Sequence, residues 1–225
     1  MTVTDPDADL VPVKPRLRGW LHLWSFVVAV AAGIVLVSLA GATVSAEAAI
    51  AVAVYSLTVC GVFGVSALYH RRTWHTERAR TLMKRLDHAM IFVFIAGTYT
   101  PFAVLALPER TGLIVLAVVW AGALGGVVLK VAWPHAPRWV GVPFYLALGW
   151  VAVFVLPDLL HRGGVAALVL LIVGGVLYSV GAGFYAWRRP VGWPRTFGYH
   201  EFFHAATVLA AVCHYIAVWL ILYSG

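Results

Sequence analysis

The sequence predicts an all-α membrane protein, a bundle of seven transmembrane helices with its N-terminus in the cytoplasm and its C-terminus outside. Three observations carry this prediction: the composition, seven long apolar runs, and a one-sided distribution of charge. Of 225 residues, 62% are hydrophobic and only 11% are charged, and the mean hydropathy is +0.90. Soluble domains are nearer half apolar and a quarter charged. Most of this chain is therefore expected to contact lipid.

Seven apolar runs are long enough to cross a bilayer, which takes about 20 residues per helix. In lipid a segment must satisfy its backbone hydrogen bonds internally, so each run is expected to be a helix. Loop signals between the runs include the basic stretch 71–85 and the segment 157–164. We interpret residues 1–18 as a flexible polar tail and residues 19–225 as one seven-helix domain. The runs are 19–41, 46–69, 87–107, 111–132, 139–157, 164–187 and 201–223.

The basic residues give the orientation of the bundle. With seven crossings, fourteen of the sixteen Lys and Arg fall on one side, and only Arg110 and Arg162 fall on the other. The positive-inside rule places the basic side in the cytoplasm. The cations are confined to short loops, which argues against a nucleic-acid surface. Cys60 and Cys213 lie inside apolar runs and are expected to be small buried hydrophobes, with no disulfide framework or thiolate metal site.

Several polar residues share the predicted cytoplasmic side. His70 closes the second run, Asp87 opens the third, and His200 and His204 open the seventh. Ionisable residues at such positions are functional candidates by default. Residues four apart share one helix face, so Ser66 lies beside His70, and His200 lies beside His204. A His pair at this spacing can hold one metal ion.

A third histidine, His70, would complete a three-His site with one open position, which is the catalytic type of zinc site. Asp87 is the candidate general base, and Ser66 is placed to hydrogen-bond water, substrate or Asp87. His88 adjoins Asp87, but one residue turns a helix by about 100°, so we expect only a positioning role for it. His214 lies about 15 Å beyond His204 along the helix, too far to share its metal. The remaining histidines are interpreted as ordinary interfacial side chains: His22, His75, His135 and His161.

Four segments in order, KPRLRGWLH, SALYH, LDHAMIFVFIAGTYTPF and HEFFH, resemble the hemolysin III family of bacterial membrane proteins. That family is similar to the progestin and adipoQ receptors and, more distantly, to the alkaline ceramidases, together called the CREST superfamily. The resemblance implies a multi-pass protein of the bacterial plasma (inner) membrane. It also implies a zinc ion bound by His70, His200 and His204 near the cytoplasmic face, with Asp87 and Ser66 beside its water.

The leading functional hypothesis is a zinc-dependent hydrolase that acts on a membrane lipid, such as the amide of a ceramide. One alternative is a pore-forming cytolysin, although the uniformly apolar runs offer no polar stripe to line a pore. A second alternative is a receptor or regulator of membrane state in which zinc is structural. A membrane lipid is the expected substrate or ligand in the first case. The oligomeric state is left open.

Overall fold

A computed structural model of the protein describes residues 15–133, 136–190, 192–193 and 195–224. All regular elements within these residues are helical. Six helical stretches are long and apolar enough to cross a membrane, one of them the continuous run Arg138–Trp187. An integral, multi-pass helical protein is thereby confirmed. The helices are α1 (Trp20–Thr43), α2 (Ala46–Arg71), α3 (Glu77–Leu105), α4 (Glu109–Ala132), α5 (Arg138–Gly149), a 3-10 segment (Trp150–Val155), α6 (Leu156–Trp187) and α7 (Tyr199–Leu222).

The run Arg138–Trp187 folds back on itself. The indole Nε1 of Trp150 donates a hydrogen bond to Ser179 Oγ over 3.0 Å. In a straight helix these residues would be about 43 Å apart. Gly164 lies midway between them and has φ 74° and ψ 174°, a conformation that essentially only glycine adopts. The predicted loop 157–164 is therefore mostly helical, and the chain reverses around this glycine.

Helix α3 begins ten residues before the predicted third span. The interpretation of 71–85 as a loop is wrong from Glu77 onwards, where the chain is helical. The Thr76 side chain caps this helix by accepting a hydrogen bond from the Ala79 amide at 3.2 Å. Glu77 in the first turn suits the helix dipole, and no Gly or Pro occurs between Glu77 and Arg85. Charge density alone thus did not indicate a loop.

Neighbouring helices pack in chain order through α4, and α6 packs along α7. Helix α7 also contacts α1, α2 and α3, so its first turns lie beside the end of α2 and the early part of α3. Small residues allow close approach: a Cβ at Gly97 of α3 would overlap Thr58 of α2, and one at Gly126 of α4 would overlap the Phe92 ring of α3. This packing positions the candidate site.

Candidate metal centre

Three predicted ligands meet between α2 and α7. His70 lies in the last turn of α2, and His200 and His204 lie in the first two turns of α7. The Nε2 atoms of His70 and His200 are 3.1 Å apart. One nitrogen from each of the three rings lies within 4.8 Å of the others. His70 and His204 are 7% and 2% exposed. The helical spacing and the shared depth predicted this cluster correctly.

The three side chains suit a metal ion. Tetrahedral coordination with metal–nitrogen bonds of about 2.0–2.1 Å places ligand nitrogens about 3.4 Å apart. The separations here, from 3.1 Å to at most 4.8 Å, bracket that value. Three imidazoles leave one position open, which is the arrangement of catalytic rather than structural zinc sites. Imidazole ligands also suit copper, iron and nickel, so the cluster could hold a metal ion but does not select which one.

The structure brings Asp87 and Ser66 to the same place. Asp87 Oδ2 is 3.9 Å from His70 Nε2, and the Asp87 side chain is only 12% exposed. The Ser66 side chain, which is 3% exposed, interacts with the Asp87 carboxyl group. Because α3 starts at Glu77, Asp87 lies in about the third helical turn rather than at the start of the helix. A carboxyl group is therefore held firmly beside the three imidazoles.

A buried ion pair fixes the first turn of α7. The guanidinium of Arg18 contacts the carboxylate of Glu201, which is 1% exposed. The same carboxylate accepts a hydrogen bond from the Gly198 amide at 2.8 Å and so caps the helix. The backbone amide of Arg16 also donates to the carbonyl of Arg195 at 3.0 Å. Residues 15–18 of the predicted tail thus contact the α7 start, whereas residues 1–14 lie outside the described part of the chain.

His22 is a site residue that the sequence reasoning missed. Its ring stacks on that of His204, with centroids 3.8 Å apart and planes 7° apart. It is 2% exposed, and neither ring nitrogen makes a hydrogen bond of ordinary length and angle among the described residues. Its interpretation as an interfacial side chain is therefore wrong. The available signal was its position in KPRLRGWLH, at the same predicted depth as the other histidines. His135 lies outside the described residues.

His88 is not part of the three-His cluster, but it lines the same cavity as Asp87, His200 and His204. Its Nε2 and the Tyr185 hydroxyl form a hydrogen bond of 3.2 Å. The Tyr145 hydroxyl donates to the His88 carbonyl at 3.3 Å. These contacts join α3 to α5 and α6 beside the metal centre. His88 therefore belongs to the wall of the site.

A cavity of about 140 Å³ extends from the three-His cluster into the bundle. We call it the central cavity. Its near end contains Ser66, Asp87, His200 and His204, and its walls are mainly apolar. At its far end His214 Nε2 donates to the Leu171 carbonyl at 3.2 Å. His214 thus lies apart from the three-His cluster, as its position in the sequence predicted.

Residues 11–215 match the family described as "Haemolysin-III related". The chain is 32% identical over 145 residues to "Hemolysin-3" of Bacillus cereus and 35% identical over 141 residues to the "Hemolysin-3 homolog" of Bacillus subtilis (strain 168). These alignments cover 64% and 60% of this chain and 65% of each relative. The human "Monocyte to macrophage differentiation factor" is 25% identical over 175 residues, which is 76% of this chain and 70% of that protein. Similarity to a plant "Heptahelical transmembrane protein ADIPOR2" and a fly "Adiponectin receptor protein" extends the relationship to the receptor branch.

Proposed function

The chain belongs to the haemolysin-III-related family, and we propose that it is a zinc-dependent hydrolase that cleaves a membrane lipid, an amide of the ceramide type. One observation carries the proposal. Three imidazole nitrogens lie within 4.8 Å of one another beside a buried carboxyl group, at one end of an apolar cavity. This is an arrangement for metal-assisted hydrolysis of a substrate with a hydrocarbon chain.

His70, His200 and His204 would hold the zinc ion, and Glu201 and His22 would keep the α7 pair in place. Zinc supplies Lewis-acid chemistry that polarises a carbonyl group and activates water. Asp87 accepts the proton of the attacking water and returns it to the amine leaving group, as a general base and then a general acid. Ser66 holds the Asp87 carboxyl group in position. The apolar walls of the central cavity accommodate a hydrocarbon chain and exclude bulk water.

We also propose that the chain crosses the bacterial inner membrane seven times, with its N-terminus in the cytoplasm. The run Arg138–Trp187 would be about 75 Å long if straight, more than twice the hydrocarbon thickness of about 30 Å. Its reversal around Gly164 supports two crossings. Fourteen of the sixteen cations then face the cytoplasm, and the metal centre lies near the cytoplasmic leaflet.

The test uses the full chain purified in detergent, with measurement of bound zinc and of free fatty acid released from a panel of lipid amides and phospholipids. We expect about one zinc per chain and release from lipid amides. Asp87→Asn should retain the zinc and lose about 10²- to 10⁴-fold in turnover, because general-base catalysis contributes that much. Asp158→Asn, on the far side of the bundle from the cluster, is the matched control and should retain full turnover.

Two results would overturn the proposal in different ways. Bound zinc with no turnover on any lipid, together with a lower unfolding temperature after chelation, would indicate a structural zinc in a receptor or regulator. Leakage of dye from vesicles that persists after chelation would instead indicate the lytic action that the relatives' names describe. Zinc content equal in the wild type and in metal-ligand variants would remove the ligand assignment.

A further inference from the structure

A second pocket, strongly basic, adjoins the metal centre. It has a volume of about 300 Å³. It lies between the N-terminal part of α3, the end of α4 and the first turns of α5. Four cationic side chains line it, from three helices: Lys84, Arg85, Lys130 and Arg138. We call it the basic pocket. Among the described residues no Asp or Glu lines it, whereas Asp87 lines the central cavity on the other side of Tyr145 and Tyr185.

These four cations have no anionic partner in the described part of the chain. The ion pairs there join Arg18 to Glu201, Arg80 to Glu77 and His70 to Asp87. The Arg85 Nε atom is buried without a hydrogen bond, and Lys84 and Lys130 repel each other. Like charges held close together repel one another unless an opposite charge joins them. The pocket is therefore electrostatically complementary to an anion.

Aromatic side chains fix two of the cations but do not neutralise them. The Lys130 ammonium lies 5.6 Å from the centre of the Tyr145 ring, and the Arg138 guanidinium lies 4.7 Å from that of Tyr185. Such cation–π contacts orient the two side chains and leave their positive charges uncompensated by any anion. Two guanidinium and two ammonium groups around one small volume match the oxygens of a phosphate group.

An apolar groove continues from the basic pocket along the surface between α5 and α6. It shares Ala136, Arg138 and Val142 with the pocket. Further along, the groove is lined by Pro143, Leu146, Val180 and Phe184. Trp139 and Trp187 flank it and are 74% and 80% exposed, as expected for aromatic residues at the level of lipid headgroups. A phosphate pocket that opens into an apolar groove fits one kind of molecule.

We propose that the basic pocket binds the phosphate group of an anionic membrane phospholipid, with one acyl chain lying in the groove between α5 and α6. Basic pockets between transmembrane helices on the cytoplasmic side are suited to such headgroups. None of the three clustered histidines lines the pocket, so this site is independent of the proposed hydrolysis. His88, Tyr145 and Tyr185 line both the basic pocket and the central cavity and so form the wall between the two sites.

The experiment measures the thermal unfolding midpoint of the full chain in a neutral detergent. Phosphatidylglycerol, phosphatidylcholine and inorganic phosphate are titrated separately, because a ligand that binds only the folded state raises the midpoint. We expect phosphatidylglycerol to raise it, and the other two to have little effect. The Lys130→Gln/Arg138→Gln variant should lose this response. The Arg78→Gln/Arg195→Gln variant removes the same charge from exposed positions and should keep it.

Each other outcome overturns part of the proposal. An equal rise with inorganic phosphate would make the ligand a free phosphate rather than a lipid. An equal loss of response in both double variants would reduce the effect to general surface charge. If the pocket double variant does not fold, Lys84→Gln serves instead, because Lys84 is exposed and its removal leaves the packing intact. It should raise the half-saturating phosphatidylglycerol concentration about tenfold, and an unchanged value would exclude the pocket.

Discussion

The two ends of the central cavity both carry buried histidine, yet only one of them is arranged to hold a metal. At the near end three imidazole nitrogens lie within 4.8 Å of one another. At the far end His214 stands alone, with Nε2 donating to a backbone carbonyl at 3.2 Å and its ring 5.4 Å from that of Tyr178. A buried histidine alone therefore does not make a candidate metal site. Such a site requires ligand atoms from several helices to lie close together.

The two ends of the central cavity also differ in the charged side chains around them. The near end is surrounded by Asp87, Glu201 and Arg18, and the last two form a buried ion pair. Within the part of the chain that the structure describes, no Asp, Glu, Lys or Arg lines the far end of the cavity. A charged group is costly within a bilayer unless it is paired or faces a cavity. The charged groups that border the central cavity in the described part of the chain thus lie at its near end, beside the three histidines.

The largest expected effect is loss of the metal. His200→Ala/His204→Ala removes two of three ligands, and metal content measured on the purified chain should fall from about one per chain to background. His214→Ala, on the same helix and also buried, is the matched control and should keep its metal. If the double variant retained its metal, the three-His cluster would not be the binding site, and the proposed difference between the two ends would be wrong.

The histidine cluster at the near end could be predicted from the sequence, because residue spacing and loop charge can be read directly from the chain. A spacing of four residues puts His200 and His204 on one helix face, and the positive-inside rule brings His70 and Asp87 to the same depth. Hydrophobic runs likewise predicted an all-helical membrane fold with nearly correct bounds for α1, α2, α4 and α7. These features follow from periodicity and charge within a single segment.

What the sequence could not supply depends on packing between distant segments. The stacking of His22 on His204 and the pairing of Arg18 with Glu201 join positions more than 180 residues apart. No spacing rule relates such positions, because the contact exists only after α1 and α7 have packed. The early start of α3 was missed for another reason: basic residues form helices well, so a charge run alone does not mark a loop.

The next effect concerns the ion pair that anchors the near end. Arg18→Gln leaves Glu201 buried without its partner and should lower the free energy of unfolding by about 3 kcal/mol. Arg18→Gln/Glu201→Gln should be less destabilised than the single variant, because no unpaired charge remains. Glu77→Gln disrupts the exposed pair with Arg80 and should cost about 0.5 kcal/mol or less. Thermal unfolding of the three variants checks the order, and a single variant as stable as wild type would contradict it.

A smaller effect should reveal what His22 contributes. If its ring orients His204 by stacking, His22→Ala should weaken metal binding about 10- to 100-fold, as expected for groups that position a ligand. His22→Phe keeps an aromatic ring in the stack and should bind metal nearly as well as the wild type. Competition with a chelator of known affinity measures both variants. If His22→Phe binds as weakly as His22→Ala, the nitrogens of His22 matter and the ring alone does not suffice.

The smallest expected effect on stability concerns a tyrosine hydroxyl at the far end of the central cavity. The Tyr178 hydroxyl is buried without a hydrogen bond among the described residues, whereas the Tyr185 hydroxyl bonds His88 at 3.2 Å. Tyr178→Phe should therefore change the free energy of unfolding by less than about 0.5 kcal/mol or raise it slightly, while Tyr185→Phe should lower it by about 1 kcal/mol. Thermal unfolding of the pair measures the contrast. A loss in Tyr178→Phe as large as that in Tyr185→Phe would mean that the far-end hydroxyl has a bonding partner in the folded protein, and that the two ends of the cavity differ less than their side chains suggest.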